Sequence, residues 1–267
     1  MYEAYWGLKE KPFENTPNAR FLYHSKEHDE ALSRFIYAVK EKKGLTMFTG
    51  EYGSGKTLTS MYVMRLLKDD RNFQVVMIVN PKLSFIEFLR EIIYQLKGEL
   101  PREIGKLDLL HSLKDLIIQN NSAGRHTVII IDEAQMIQDR DVFEELRLLS
   151  NLQLEDKFMI TIIFIGQPEL REMMNSIPQL KQRLAITHHL GPLSKEETGD
   201  YIRHRLRVAG GRENIFTEEA VKSIFKSSGG IPRKINTICD ICLVIGSGEK
   251  RQEIDENTVN GVIKNII

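Results

Sequence analysis

Gly50-Glu51-Tyr52-Gly53-Ser54-Gly55-Lys56-Thr57 fits the pattern G-x-x-x-x-G-K-[ST], the phosphate-binding loop. Its flanks suit the chemistry. Leu45–Thr49 reads as a short buried strand, and Leu58–Lys68 as a helix with Leu58, Met61, Tyr62, Met64, Arg65 and Leu66 at helical spacing. Glycines let the backbone curl so that successive N–H groups converge on a phosphate, and the helix start adds the positive end of its dipole. Lys56 then reaches the β- and γ-phosphates, and Thr57 offers its hydroxyl to Mg²⁺. The nucleotide contacts fall on Gly50, Glu51, Tyr52, Gly53, Ser54, Gly55, Lys56, Thr57 and Leu58.

A second feature agrees with the first. Thr127-Val128-Ile129-Ile130-Ile131 is a run of β-branched residues ending at Asp132-Glu133. A continuous apolar run suits a central strand of a parallel sheet, buried on both faces. Its carboxyl end is where open α/β sheets bind ligands. There Asp132 would hold Mg²⁺ through its water shell, and Glu133 would orient the attacking water. Magnesium needs only one or two protein carboxylates beside phosphate oxygens, so Asp132 and Thr57 suffice.

Composition sets outer bounds. Lys+Arg and Asp+Glu are both 37 among 267 residues, so the formal net charge is +0 and gives no global case for nucleic acid or acidic lipid. Hydrophobic content of 42% and charged content of 28% are ordinary for a globular protein. The most apolar stretch, 158–165, is too short to span a bilayer, and Met1-Tyr2-Glu3-Ala4-Tyr5-Trp6 lacks the basic start and apolar core of a signal peptide. Two cysteines in all, Cys239 and Cys242, fit a reduced, cytoplasmic compartment.

Residues 1–24 are aromatic and loop-like, with Tyr2, Tyr5, Trp6, Phe13, Phe21 and Tyr23, and form an arm that packs on the body of the domain. Ser25–Lys43 reads as a helix, although Ser25 and His28 lack the acidic fourth residue of a capping box. Further strands are expected at 74–79, 159–165 and 185–190. Helices are expected at 84–97, 107–120 and 141–151. This alternation implies an α/β fold: three αβα layers around a parallel five-stranded sheet. After Gly191-Pro192 only helices follow, at 195–208, 217–227, 233–245 and 255–266. The expected division is an α/β domain with its arm, 1–192, and a small all-α lid, 193–267.

Several stretches together resemble a known family. They are Tyr5-Trp6-Gly7-Leu8, Pro17-Asn18-Ala19-Arg20-Phe21-Leu22-Tyr23, His28 with Glu30-Ala31-Leu32, and Asp132-Glu133-Ala134-Gln135. Gly166-Gln167-Pro168-Glu169-Leu170, Gln182-Arg183-Leu184 and Gly230-Ile231-Pro232-Arg233 complete the set. With the phosphate loop they resemble the AAA+ ATPases, and among these the general secretion pathway protein A (ExeA-like) family. The resemblance implies ATP as substrate, with Mg²⁺. It also implies three further roles: Gln167 as a sensor of the γ-phosphate or lytic water, Arg183 as an arginine finger acting on a neighbouring subunit, and Arg233 as a lid sensor within its own subunit. It implies a nucleotide-dependent homo-oligomer that serves a secretion or cell-envelope export machine. Full-length family members continue into a membrane span and a periplasmic domain, so a place at the inner membrane through a partner or a further region is also expected.

Transposition ATPases share much of this pattern. An ATP-dependent regulator that polymerises on duplex DNA is therefore the alternative, and a nucleotide switch with negligible turnover is a third. Three other features are read as structural. Cys239-x-x-Cys242 lies in an apolar helix without a second pair for zinc. His188-His189 lacks a third ligand. Arg203-His204-Arg205-Leu206-Arg207 shares its helix with Glu196, Glu197 and Asp200 and reads as a solvated face.

Overall fold

The apolar runs become strands of one parallel sheet. A computed structural model describes residues 2–101, 105–154 and 157–266. Met1 and Ile267, where the expected domains begin and end, lie outside the described residues. The strands are β1 (Leu45–Gly50), β2 (Phe73–Ile78), β3 (His126–Ile131), β4 (Gln153–Leu154), β5 (Lys157–Phe158), β6 (Ile160–Gly166) and β7 (Leu184–Leu190). Five of them pair in the order β2-β3-β6-β1-β7, all parallel. β4 and β5 form a separate antiparallel ribbon that no alternation in the sequence announces. The helices are α1 (Glu3–Trp6), α2 (Lys26–Lys40), α3 (Lys56–Asp69), α4 (Phe85–Lys97), α5 (Lys106–Ser122) and α6 (Arg140–Leu149). They continue with α7 (Pro168–Asn175), α8 (Pro178–Arg183), α9 (Lys195–Val208), α10 (Glu218–Ser228), α11 (Pro232–Gly248) and α12 (Glu256–Ile266).

Two compact units divide the chain. The sheet unit comprises Glu30–Gly50 and Thr59–Leu190. β1, β3 and β6 are buried along their whole length, as their unbroken apolar runs require. Alternate residues serve opposite faces. Ile129, Ile131, Ile162 and Phe164 enter a core with Phe88, Ile92, Leu113 and Phe143 from α4, α5 and α6. On the other face Phe48 of β1 stacks on Phe35 of α2, ring centroids 4.1 Å apart. β7 is an edge strand and alternates between exposed and half-buried residues, which is why its sequence signal is weak.

Several boundaries differ from the sequence reading for local reasons. β2 ends at Ile78, whose carbonyl accepts the last bond along this edge, from the Asp132 N–H at 2.9 Å, and Val79 lies beyond it. α2 stops at Lys40, before Lys42 and Gly44 adopt positive φ of 51° and 66°. In α3 the buried positions are Lys56, Thr59, Ser60, Val63 and Leu67, whereas Met61 and Leu66 face out. The apolar spacing had indicated the wrong stripe, since small hydroxyl residues occupy the buried one.

At the start of β3, His126 is buried, with Nε2 2.8 Å from Thr161 Oγ1. Burial, with Lys42 adding a smaller push, lowers its pKa to about 4. The unfolded chain takes the proton near pH 6.5, the folded one not until about pH 4. Stability is therefore fully present above about pH 6.5 and falls as pH drops toward 4, by about 3 kcal/mol from this group. Urea unfolding at pH 7.5 and 4.5 tests this: the drop is expected in the wild type and smaller in His126→Gln.

The helical unit comprises Met1–Asp29, Glu51–Leu58 and Gly191–Ile267. The aromatic arm, expected with residues 1–192, packs here. Trp6, Phe13 and Phe21 join Tyr201, Leu206, Ile238, Cys239 and Leu243 in one apolar cluster. Polar ends are satisfied within it. Trp6 Nε1 donates to Leu243 O at 2.9 Å, and Lys9 N to Ala209 O at 2.8 Å. Arg205 is buried, with its guanidinium 4.5 Å from the Phe21 ring centroid and bonds to the Pro12 and Glu14 carbonyls at 2.5 and 2.9 Å. The basic run is therefore only partly a solvated face. Arg203 and Arg207 pair outside with Asp200 and Glu213, while Arg205 anchors the arm.

Candidate functional site

The phosphate loop leaves β1 after Gly50 and enters α3 at Lys56. Gly53 and Gly55 hold φ of +82° and +102°, which L side chains rarely adopt, so the two motif glycines are required by the backbone. Ser54 N donates to Glu51 O at 3.1 Å and closes the turn. Lys56 is buried, and its Nζ donates to the same Glu51 carbonyl at 2.9 Å. Thr57 and Leu58 are half-buried in the first turn of α3, and Glu51 and Tyr52 are exposed.

Arg233 meets this loop within the helical unit. Its N–H donates to Gly53 O at 3.2 Å, and a Cβ on Gly53 would come within 2.5 Å of Arg233 Cβ. Its guanidinium lies 4.7 Å from the Tyr52 ring centroid. A cation near the positive start of α11 is otherwise poorly placed, and the ring face offsets part of that cost. The turn before it is fixed: Gly230 has φ +75°, and a Cβ there would fall 2.0 Å from Leu193 O. Pro232 then opens α11.

The sheet unit holds the acidic group. Asp132 is buried, and its Oδ1 accepts the Glu133 N–H at 2.9 Å. Glu133 itself sits at φ 50°, ψ 39°, a left-handed conformation that costs an ordinary residue on the order of 1 kcal/mol or more. That turn swings its carboxylate toward two amides. Oε2 accepts from Gln135 Nε2 at 2.5 Å and from Gln167 Nε2 at 3.4 Å, and Gln167 N donates to Gln135 Oε1 at 3.1 Å. β3 and β6 are neighbours, which brings Glu133 and Gln167 together at the carboxyl edge. A Cβ on Gly166 would lie 2.5 Å from Gln135 Oε1 and would displace that amide. Sequence reasoning gave Gln135 no role. Its position two residues after Glu133, in a turn, was the available signal.

Arg183 ends α8 and is exposed, with no ion pair or side-chain hydrogen bond among the described residues. No group of three or more His, Cys, Asp or Glu gathers as a metal site among the described residues. Asp132 offers one buried carboxylate, and Mg²⁺ accepts so sparse a protein donor set when phosphate and water fill its remaining positions. Cys239 and Cys242 are buried and free, and burial pushes the Cys242 thiol up to about 12. They belong to the core, as expected.

A parallel sheet carrying a phosphate loop, an acidic strand end and a following set of helices defines an AAA+ type P-loop protein. Residues 39–174 match the family described as "AAA domain", and the chain belongs to that family. It is 37% identical over 246 residues to General secretion pathway protein A of Aeromonas hydrophila, across 91% of this chain and 44% of that protein. The ExeA-like resemblance is thereby borne out. The chain spans less than half the length of the curated relatives it matches. Among solved structures, Cdc6p of Pyrobaculum aerophilum superposes with a TM-score of 0.71 at 18% identity, covering 94% of this chain and 72% of that one. ORC2 of Aeropyrum pernix, in ADPNP and ADP complexes, gives 0.65 at 17%, covering 93% and 72%. At such identities the likeness concerns the fold. Family and fold together support a nucleotide-binding, ATPase-type role. Among the described residues no helix is long and apolar enough to cross a membrane.

Proposed function

We propose that this chain is a Mg²⁺-dependent ATPase that assists assembly of a secretion or cell-envelope export machine. The observation that carries the ATPase reading is the phosphate loop, with two left-handed glycines, Lys56 at the helix start and Arg233 bonded to Gly53. The secretion role rests on the likeness to General secretion pathway protein A. Residues 1–192 bind and cleave ATP in this reading, and residues 193–267 act as the lid. Its place in this reading is cytoplasmic, at the inner membrane through a partner or a further region.

Loop N–H groups and the Lys56 ammonium hold the β- and γ-phosphates, and the tight turn positions them for in-line attack. Glu133 takes hydrogen-bond control of the attacking water, whose oxygen forms the new P–O bond as the β–γ bridge breaks toward ADP. Gln167, bonded to Glu133, orients the same water or the γ-phosphate. Thr57 and Asp132 are the residues that would hold Mg²⁺, and the ion would supply positive charge to the phosphate oxygens. Arg233 reads the γ-phosphate from its own subunit, and Arg183 reads that of a neighbour.

Light scattering with ADP and with a non-hydrolysable ATP analogue, each with and without duplex DNA, tests the assignment. Nucleotide-dependent rings or dimers indifferent to DNA are expected. Growth with ATP only on DNA overturns the secretion role in favour of the DNA-binding transposition regulator.

A further inference from the structure

Ser25 begins α2 with a capping geometry that its sequence does not advertise. Its Oγ accepts the His28 N–H at 3.2 Å, as an N-cap should. The fourth residue is an imidazole instead of an acid, and His28 Nδ1 lies 2.7 Å from the same Oγ. Both side chains are buried, Ser25 at 1% and His28 at 5% exposure. A buried ring so anchored has one remaining polar atom, Nε2, and it faces the phosphate loop. A Cβ on Gly55 would lie 2.8 Å from it, and the ring hydrogen-bonds the Ser54 backbone.

The tautomer follows from these contacts. Burial lowers the His28 pKa, so the ring is neutral near pH 7. The Ser54 bond acts in the opposite sense and favours the protonated ring, the sign of a ring N–H donating to a carbonyl. Nε2 therefore carries the proton, and Nδ1 accepts from the Ser25 hydroxyl. In a trans peptide the carbonyl and the following N–H point opposite ways. Fixing the Ser54 carbonyl on His28 thus turns the Gly55 N–H away from His28.

We propose that His28 is a positioning residue for the phosphate loop: with Ser25 it locks the Ser54–Gly55 peptide in the orientation that presents its N–H to the β-phosphate. This rests on the ATP-binding reading above. It also explains why Gly55 is needed twice over, once for its φ and once because the imidazole fills the space a side chain would take. The start of α2 thereby contributes to nucleotide binding through a residue outside the loop motif.

The test has two parts. Imidazole nitrogen NMR on the wild-type chain is expected to show His28 neutral with Nε2–H at pH 7.5, and an Nδ1–H tautomer overturns the proposal. Titration with fluorescent ADP, ATP and AMP follows, on wild type, His28→Leu and His28→Gln. His28→Leu is expected to weaken ADP and ATP about tenfold, the cost of one oriented hydrogen bond to a charged group, with AMP nearly unchanged. His28→Gln, whose amide reaches a similar point, is expected to regain most of the loss. Equal affinity in His28→Leu, or an equal loss for AMP that glutamine does not restore, overturns it. If wild type binds no ATP or ADP, the nucleotide reading itself fails, whatever the tautomer.

Discussion

Glu133→Gln is expected to bind ATP within a few-fold of wild type while turnover falls by about 10²–10⁴-fold, the usual worth of a positioned general base. The substitution is close to isosteric. Its carbonyl oxygen can still accept from Gln135 and Gln167, so the left-handed turn and the network at the carboxyl edge are retained. What disappears is the negative charge that polarises water and takes its proton. Nucleotide titration checks the first half and steady-state phosphate release the second. Wild-type turnover in this variant removes Glu133 from the chemistry and leaves its strained backbone without a functional explanation.

Arg183→Ala is expected to lower turnover by about 10³–10⁵-fold, the range of an arginine finger, without changing ATP affinity of the isolated chain. Its side chain is exposed at the end of α8 and bonds to nothing among the described residues, so removing it leaves no broken structural contact. Lys181 on the same short helix is equally cationic and exposed, and Lys181→Ala serves as the control. Mixing Arg183→Ala with Lys56→Ala is expected to restore part of the activity. Mixed assemblies pair an intact phosphate loop with an intact finger. Activity that stays flat at every mixing ratio assigns Arg183 to the ordinary surface.

Much of this was legible in the chain. Uniform apolar runs gave β1, β3 and β6, because a strand buried on both faces has no alternation to misread. The phosphate loop was legible because its chemistry demands glycine at fixed spacing, and Gly53 and Gly55 do sit at positive φ. The Arg233–Tyr52 stacking was not, since a contact between residues so distant in sequence leaves no local pattern. Nor was the buried stripe of α3, where Thr59 and Ser60 stand in for apolar residues. α7 and α8 carry no plain signal either: each is under nine residues and begins with a proline that reads as a breaker. The arm's aromatic character was plain, but its partner was not. Arg205, read as solvated, is the cation beneath which Phe21 packs. In the sequence His28 stands only where a cap lacks its acid, while its ring serves both the cap and the Ser54 backbone.

The most direct measurement is phosphate release from ATP by wild type and Lys56→Ala, each with Mg²⁺ and with a chelator. The account predicts turnover in wild type with Mg²⁺, lost on chelation and lost in Lys56→Ala together with tight ATP binding. ATP bound tightly by wild type without turnover contradicts it in favour of a nucleotide switch, and turnover that survives in Lys56→Ala contradicts the phosphate-loop site altogether.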